Sequence, residues 1–526
     1  MTVSSNSKNI DRINRFGRIA AGAATCRNFL IFMAVACLFI GIILASPYFL
    51  KQVACLVAAE IANPNTYVLG RWFGSILITL GTLFLVFGIF WRSVRPIIIG
   101  LISKTAGLSP RSWSLSIFTV AFLLRLAWVL FIGNESYSDW KVYSQQAADI
   151  VSHCQYGYPE PTAFKPPGYH LFLAAIYWLF GINEVAGQIS NVFLSSLNCV
   201  LLFAIGRKVS NGVGKLASLG LALYPTHIVV SSYLCSDILF TSLLLAVVYI
   251  FESMEFSLNR GWYRVIVGII IAVVSLWVRP ILLLFPIALA YYFVRLGISL
   301  KVIIKTFLLY AMFYVILFLP WWLRNYLVFE RFIWWGTEVQ YAVLTTSNEE
   351  GMKFISGQAG TEYQNELELT DAMARMGVSH MIGNPWETVK HKAGTWGKFF
   401  SPDLEYIVGY QINQRVKNRF MNHPQMEMLK NAIVYIAAGS YVLLLCFFLG
   451  GIYFYFRFGP ALRFSWTMII YTVIFTLITY GQQRLRFPIE PLMMLFAALI
   501  WKRLLTGNFW GESIKEERAR LVGIMS

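Results

Sequence analysis

The sequence predicts an all-α, multi-pass integral membrane protein. The 526 residues are 57% hydrophobic and only 13% charged, and the mean hydropathy is +0.61. A soluble domain is nearer half apolar and about one quarter charged. The apolar residues also fall in long runs, many of them long enough to cross a hydrocarbon layer of roughly 30 Å. These runs are continuously apolar rather than alternating, so the spans are helices and not barrel strands. A net charge of +17 would suggest nucleic acid in a soluble chain. Here Lys and Arg gather in the loops between apolar runs, as the positive-inside rule requires of cytoplasmic loops, and no basic stripe resembles a nucleic-acid module.

Taken in order, residues 1–112 comprise a basic N-terminus read as cytoplasmic and two spans, 28–50 and 72–91. The first span has no small-residue cleavage site at signal-peptide distance and reads as uncleaved. A third span, 113–133, leads to a polar outer loop, 134–185, in which juxtamembrane helices are expected. Within it, 169–180 is apolar but about a dozen residues long, too short for a full crossing. Reading it as interfacial keeps the basic loop 206–215 inside, after a crossing at 186–205. Further spans follow at 214–232, 236–252, 263–279, 281–296 and 302–322.

Residues 326–430 read as a small, mainly helical outer domain, with turn signals at Ser356-Gly357 and Asn384-Pro385 and a helical stretch over 362–382. The last spans are 431–456, 464–480 and 487–501, within a C-terminal module ending near 503, and 504–526 is a charged tail. The total is about twelve spans with both termini inside. No internal repeat supports the inverted layout of many transporters.

The seven cysteines show no CxxC pair or Cys/His ligand spacing, so no structural zinc site is expected. Cys154 and Cys235 fall on the same side of this topology and are the one disulfide pairing it suggests. Asn134-Glu135-Ser136 matches a glycosylation acceptor, a three-residue pattern of low specificity.

The outer loops collect charges at one depth. The carboxylates are Asp139 and Asp237, with Glu135 close by. The cations are Lys165, Arg279, Arg324, Arg484 and Arg486. Charges at a membrane boundary are costly unless they face a bundle interior or a wet cavity, which makes them functional candidates. Each also has a plainer reading. Asp139 and Asp237 could cap helices. Lys165 could snorkel to headgroups, and Arg279 and Arg324 could anchor there. Tyr143 lies one turn after Asp139 on the same helix face. Arg125, in mid-span, is read equally as buried structure or as part of a site. Arg484 and Arg486 sit in an outer loop where the positive-inside rule disfavours them, so they ask for an anionic partner.

The sequence resembles the GT-C glycosyltransferases that use polyprenyl-phosphate sugars, namely protein O-mannosyltransferase-like enzymes and the aminoarabinose transferases of lipid A. The carriers are Asp139, Tyr143 and Ala147 in the first outer loop, the stretch from Ala163 to Gly181 (AFKPPGYHLFLAAIYWLFG), and the inner loop GRKVSNGVG (Gly206–Gly214). SSYLCSDILFTSLLL (Ser231–Leu245), WVRP (Trp277–Pro280), LPWWLRNY (Leu319–Tyr326) and the run from Gln482 to Trp501 complete the series. The likeness covers 113–503 and leaves out the first two spans.

The resemblance implies a GT-C-like fold with its catalytic outer loop at 134–185. It implies Asp139 as general base, Asp237 as a second acidic site residue, and Lys165, Arg279, Arg484 and Arg486 on the lipid phosphate. Tyr143, Glu135, Arg324 and Arg125 are secondary candidates. The implied partners are a polyprenyl-phosphate-linked sugar donor, a glycan, lipid or protein acceptor, and the lipid bilayer of a bacterial inner membrane. The implied reaction moves a hexosyl or pentosyl group to a hydroxyl at the outer face. No metal ligand is assigned and a divalent ion stays open. Asp139 is followed by Trp140 rather than by a second acid, and the span-opening acid is Asp rather than Glu; both depart from the family pattern. Two rivals remain: a flippase or transporter of a lipid-linked sugar, and a GT-C-type ligase or polymerase using a diphosphate-linked donor.

Overall fold

The computed structural model describes residues 107–132, 139–253, 261–338, 366–402, 423–458, 462–479 and 481–506, with Pro96 and Gly100. The spans expected at 28–50 and 72–91, Glu135 with its glycosylation pattern, and the end of the charged tail lie outside the described residues. Among the described residues every regular element is helical and there is no strand.

The helices are α1 (Pro110–Ala127), which continues as a π turn over Trp128–Ile132, α2 (Asp139–His153), α3 (Gly168–Phe180), α4 (Glu184–Gly206), α5 (Asn211–Leu223), α6 (Pro225–Val230) and α7 (Ser236–Glu252). Next come α8 (Trp262–Leu276), a 3-10 turn over Pro280–Leu282, α9 (Phe285–Arg295) and α10 (Leu300–Phe329). The series ends with α11 (Glu366–Gly383), α12 (Pro385–Phe400), α13 (His423–Phe458), α14 (Arg463–Ile478), a 3-10 segment over Gln483–Ile489, and α15 (Glu490–Thr506).

Four of the described helical stretches are long and apolar enough to cross a bilayer: Pro110–Ile132, Glu184–Gly206, Leu300–Phe329 and Asn431–Phe456. Helices α3, α8 and α14 are apolar but shorter. The chain is an integral membrane protein. At 1.5 Å per residue the 13 residues of α3 reach about 20 Å, short of the hydrocarbon thickness.

The single span expected over 214–232 is broken. Pro225 has no N–H for the Leu221 carbonyl, and its ring crowds that carbonyl, so α5 ends and α6 begins anew. The freed carbonyls are taken by Arg125, wholly buried in α1. Its guanidinium donates to Leu221 O at 3.0 Å and Ala222 O at 3.1 Å, and its Nε donates to Ser195 Oγ at 2.8 Å. Arg125 therefore leaves the list of site candidates, because its donors are spent on a helix end. The span expected over 281–296 is also shorter, since α9 has 11 residues after the Pro280 turn. Cys154 is exposed, Cys235 is buried and both are free thiols, so the suggested disulfide is absent.

The chain divides into two compact units. One comprises 1–113, 442–459 and 496–526. Within it the last part of α13 meets the middle of α15 at small residues: Gly451 lies against the Phe496 backbone and Gly450 against Ile500. The other comprises 114–441 and 460–495 and holds every residue discussed below. There α4 packs on α5 and α7, and α7 on α8. The turn between α4 and α5 is tight because Gly206 and Gly214 face each other; a Cβ on Gly206 would come 2.7 Å from the Gly214 Cα. At the far end of α7, Glu252 Oε2 accepts from Ser465 N at 2.8 Å and Ser465 Oγ at 2.7 Å, placing a carboxylate at the N-terminus of α14.

Candidate functional site

Asp139 is the first residue of α2, where a carboxylate is favoured by the helix dipole. Its Oδ2 lies 3.2 Å from Lys165 Nζ and 3.3 Å from Arg484 Nη1. Burial pushes its pKa up, but the charges of Lys165 and Arg484 outweigh that and hold Asp139 below its ordinary value. Its side chain remains 46% exposed, so it is ion-paired and still reachable.

Lys165 is buried, its side chain only 7% exposed. Its Nζ stands 4.7 Å from the centre of the Tyr143 ring, a cation–π contact. The two prolines that follow fix the chain direction, and three backbone ties hold the segment. Gly168 N–H donates to Trp277 O at 2.9 Å. Only glycine fits there, because a Cβ would come 2.5 Å from that carbonyl. On the other side, Thr337 N donates to Ala163 O at 3.0 Å and Glu338 N to Phe164 O at 2.9 Å. Tyr156 Oη donates to Lys165 O at 2.9 Å. Burial opposes the Lys165 charge, but Tyr143, Glu338 and Asp139 more than offset this and raise its pKa. It is an ammonium at every physiological pH.

Asp237 opens the first turn of α7 with 3% of its side chain exposed. Its Oδ2 accepts from Arg484 Nε at 2.7 Å. Arg279 Nη2 sits 2.8 Å from its Oδ1, as an ion pair whose angle falls short of a hydrogen bond. Arg279 also donates from Nε to Ser236 Oγ at 3.0 Å, and that hydroxyl meets Tyr143 Oη at 3.3 Å. Arg279 can reach across because the residue before Pro280 is extended, at φ −153° and ψ 141°. Burial opposes the Arg484 charge, yet Asp237 foremost among its neighbours raises its pKa well above the ordinary value.

Five expected residues therefore come together: Asp139, Lys165, Asp237, Arg279 and Arg484, with Tyr143 between them. Three others do not join them. Arg486 is fully buried elsewhere, bonded to Glu490 Oε1 at 3.0 Å and Phe399 O at 2.9 Å and to Ser401 O, and stacked 3.5 Å from the centre of Tyr441. In a 3-10 turn, with three residues per turn, residues two apart point to different sides. Arg324 donates to Thr162 O at 2.8 Å and Tyr156 O at 3.2 Å, tying down the loop before Lys165. Arg125 caps α5. Sequence reasoning passed over Ser236, Glu366 and the His227–Glu490 pair at 3.5 Å, whose partners are far away in the chain and leave no local pattern.

Both described site carboxylates are occupied by Lys or Arg, a donor set that does not suit a divalent ion. No group of three His, Cys, Asp or Glu side chains able to hold a metal occurs among the described residues. Beside the charges lies an apolar cleft of about 300 Å³, lined by Gly168, Phe172, Leu239, Leu243, Trp277 and Leu317 together with Val274 and Val278. Gly168 is three residues from Lys165, and Val278 precedes Arg279.

No family model matches the chain, and no curated protein matches it. Among solved structures, it is similar to ArnT from Cupriavidus metallidurans bound to undecaprenyl phosphate, at 12% identity and TM-score 0.38, covering 75% of this chain and 79% of that one. The apo state of the same protein matches at 11% identity and TM-score 0.37, over 74% and 78%. The Archaeoglobus fulgidus oligosaccharyltransferase tethered with an acceptor peptide matches at 14% identity and TM-score 0.42, over 74% of this chain and 49% of that one, so the chain spans about half its length. Likenesses at these scores carry no weight for activity.

Proposed function

We propose that the protein is a membrane glycosyltransferase that moves a sugar from a polyprenyl-monophosphate donor to a hydroxyl acceptor at the outer face of the membrane. The observation that carries this reading is Asp139, a half-exposed carboxylate held between the two fixed cations Lys165 and Arg484; an apolar cleft is lined by Gly168 and Val278, close in the chain to Lys165 and Arg279. An isoprenoid chain suits the cleft, and its phosphate suits Lys165, Arg484 and Arg279.

In the reaction, the acceptor oxygen bonds to the anomeric carbon as the carbon–oxygen bond to the phosphate breaks. The bonding pair leaves with the phosphate, and the hydroxyl proton passes to Asp139. Lys165 and Arg484 face the charge that develops on the leaving oxygen, and being already fixed they need no reorganisation. A phosphate between them also competes with Asp139 for their charge. Its arrival loosens the hold on Asp139 and makes that carboxylate a better base. Asp237 has both oxygens engaged and serves to orient Arg279 and Arg484. In-line attack by the acceptor oxygen, with Asp139 taking only its proton, inverts the anomeric centre. About twelve spans, with both termini cytoplasmic in a bacterial inner membrane, belong to the same proposal, as does a role for the outer segment 326–430 in choosing the acceptor.

The test is purified protein with a set of polyprenyl-monophosphate sugars, wild type beside Asp139→Asn. Release of free polyprenyl phosphate by the wild type alone supports the enzyme and its base. Equal release by both removes Asp139 from the role. Binding and equilibration of the lipid across liposomes without release would make the protein a transporter.

A further inference from the structure

Two ties join the outer helical pair α11–α12 to the cations of the site. At its start, Glu366 accepts three hydrogen bonds: from Thr162 Oγ1 at 2.5 Å, Ala163 N at 3.2 Å and Thr337 Oγ1 at 2.7 Å. Thr162 and Ala163 immediately precede the Lys165 segment. At its end, the carbonyls of Phe399 and Ser401 accept from Arg486, two residues beyond Arg484. Between these ends, Lys392 Nζ and Trp396 Nε1 each donate at 2.9 Å to Ile478 O and Leu477 O, just ahead of the same 3-10 segment. The pair thus touches the chain close to each of the two cations that hold Asp139, and touches neither cation itself.

We infer that α11–α12 is a clamp that sets the separation of Lys165 and Arg484, with Glu366 and Arg486 as its positioning residues. A loss at one end is felt at the other because the helices between are bonded to both. A phosphate bridging the cations needs that separation fixed, a consequence that rests on the reading proposed above. The clamp itself does not depend on it. Charge on Glu366 matters because a carboxylate accepts all three bonds at once, whereas an amide presents one oxygen and leaves a donor unpaired.

The experiment is amide hydrogen exchange on the full-length protein, comparing wild type, Glu366→Gln and Glu366→Asp. Glu366→Gln is expected to speed exchange about tenfold or more over both 162–166 and 483–486, since local opening controls those rates, and Glu366→Asp to restore much of the protection. Faster exchange over 162–166 alone, or over neither, overturns the clamp. Should Glu366→Gln fail to fold, Thr337→Val removes a single bond and is read in the same way.

A second arm measures the affinity for a polyprenyl monophosphate without sugar. Glu366→Gln and Lys165→Ala should each weaken it about tenfold, and the double variant should be no weaker than Lys165→Ala, because residues acting through one contact are not additive. Additive losses overturn the positioning role. If wild type does not bind the lipid at all, the glycosyltransferase reading fails while the exchange result still decides the clamp.

Discussion

Asp139 and Asp237 share an arginine, yet they are differently placed. Arg484 gives its Nε to Asp237 and its Nη1 to Asp139. Asp237 meets two guanidinium groups and is sealed; Asp139 meets a lysine and an arginine through one oxygen and stays 46% exposed. The difference separates two duties that sequence alone assigns together. A carboxylate with both oxygens engaged fixes its partners, while one held from a single side can still exchange a proton.

The largest contrast comes from removing each charge. Asp139→Asn should lower sugar transfer by about 10²–10⁴-fold and cost less stability than the loss of Asp237, because Asp139 is half-exposed. Asp237→Asn should instead cost about 3–5 kcal/mol of stability, because it takes the shared carboxylate from two largely enclosed arginines; a denaturation curve reads this, and a stable but inactive Asp237→Asn would merge the two roles. Next in size, Lys165→Gln should weaken polyprenyl-phosphate binding by at least about tenfold, the scale of one charge-assisted contact of 1.5–3 kcal/mol, measured by titration with the lipid.

The pH dependence sharpens the same comparison. Asp139 is held below its ordinary 3.8 by Lys165 and Arg484. A depressed carboxylate contributes stability that is present above its unfolded value and lost as pH falls through the folded one. Protonation of Asp139 should therefore end activity only below the ordinary carboxylate range, and a limb near pH 6 would report the released polyprenyl phosphate, a monoester, because the diester donor has no ionisation there. In Lys165→Gln the acid limb should move up. The smallest effect is Tyr143→Phe, which removes only the 3.3 Å contact with Ser236 and should cost about 1 kcal/mol or less.

The charges of the site were legible because a membrane boundary makes every charge expensive, so Asp139, Lys165, Asp237, Arg279 and Arg484 stood out without any contact map. What was not legible depended on distant partners. Arg125, in mid-span, read equally as buried structure or as part of a site; the carbonyls it satisfies lie almost a hundred positions away, at a break that Pro225 announces but whose partner it does not name. Arg486 resembled Arg484 because both follow the same apolar helix, and only the three-residue pitch of the segment turns them apart. Glu366 carried no signal, since its importance lies in Thr162, Ala163 and Thr337.

The apolar cleft beside the charges bears on how the protein is handled. A phosphocholine detergent joins a phosphate to an alkyl chain, the two features that the proposed donor would bring to Lys165 and to the cleft lined by Phe172 and Trp277. Under that proposal, extraction in such a detergent would amount to adding a competitive inhibitor at millimolar concentration. A maltoside, which has no phosphate, leaves the cations free for the donor.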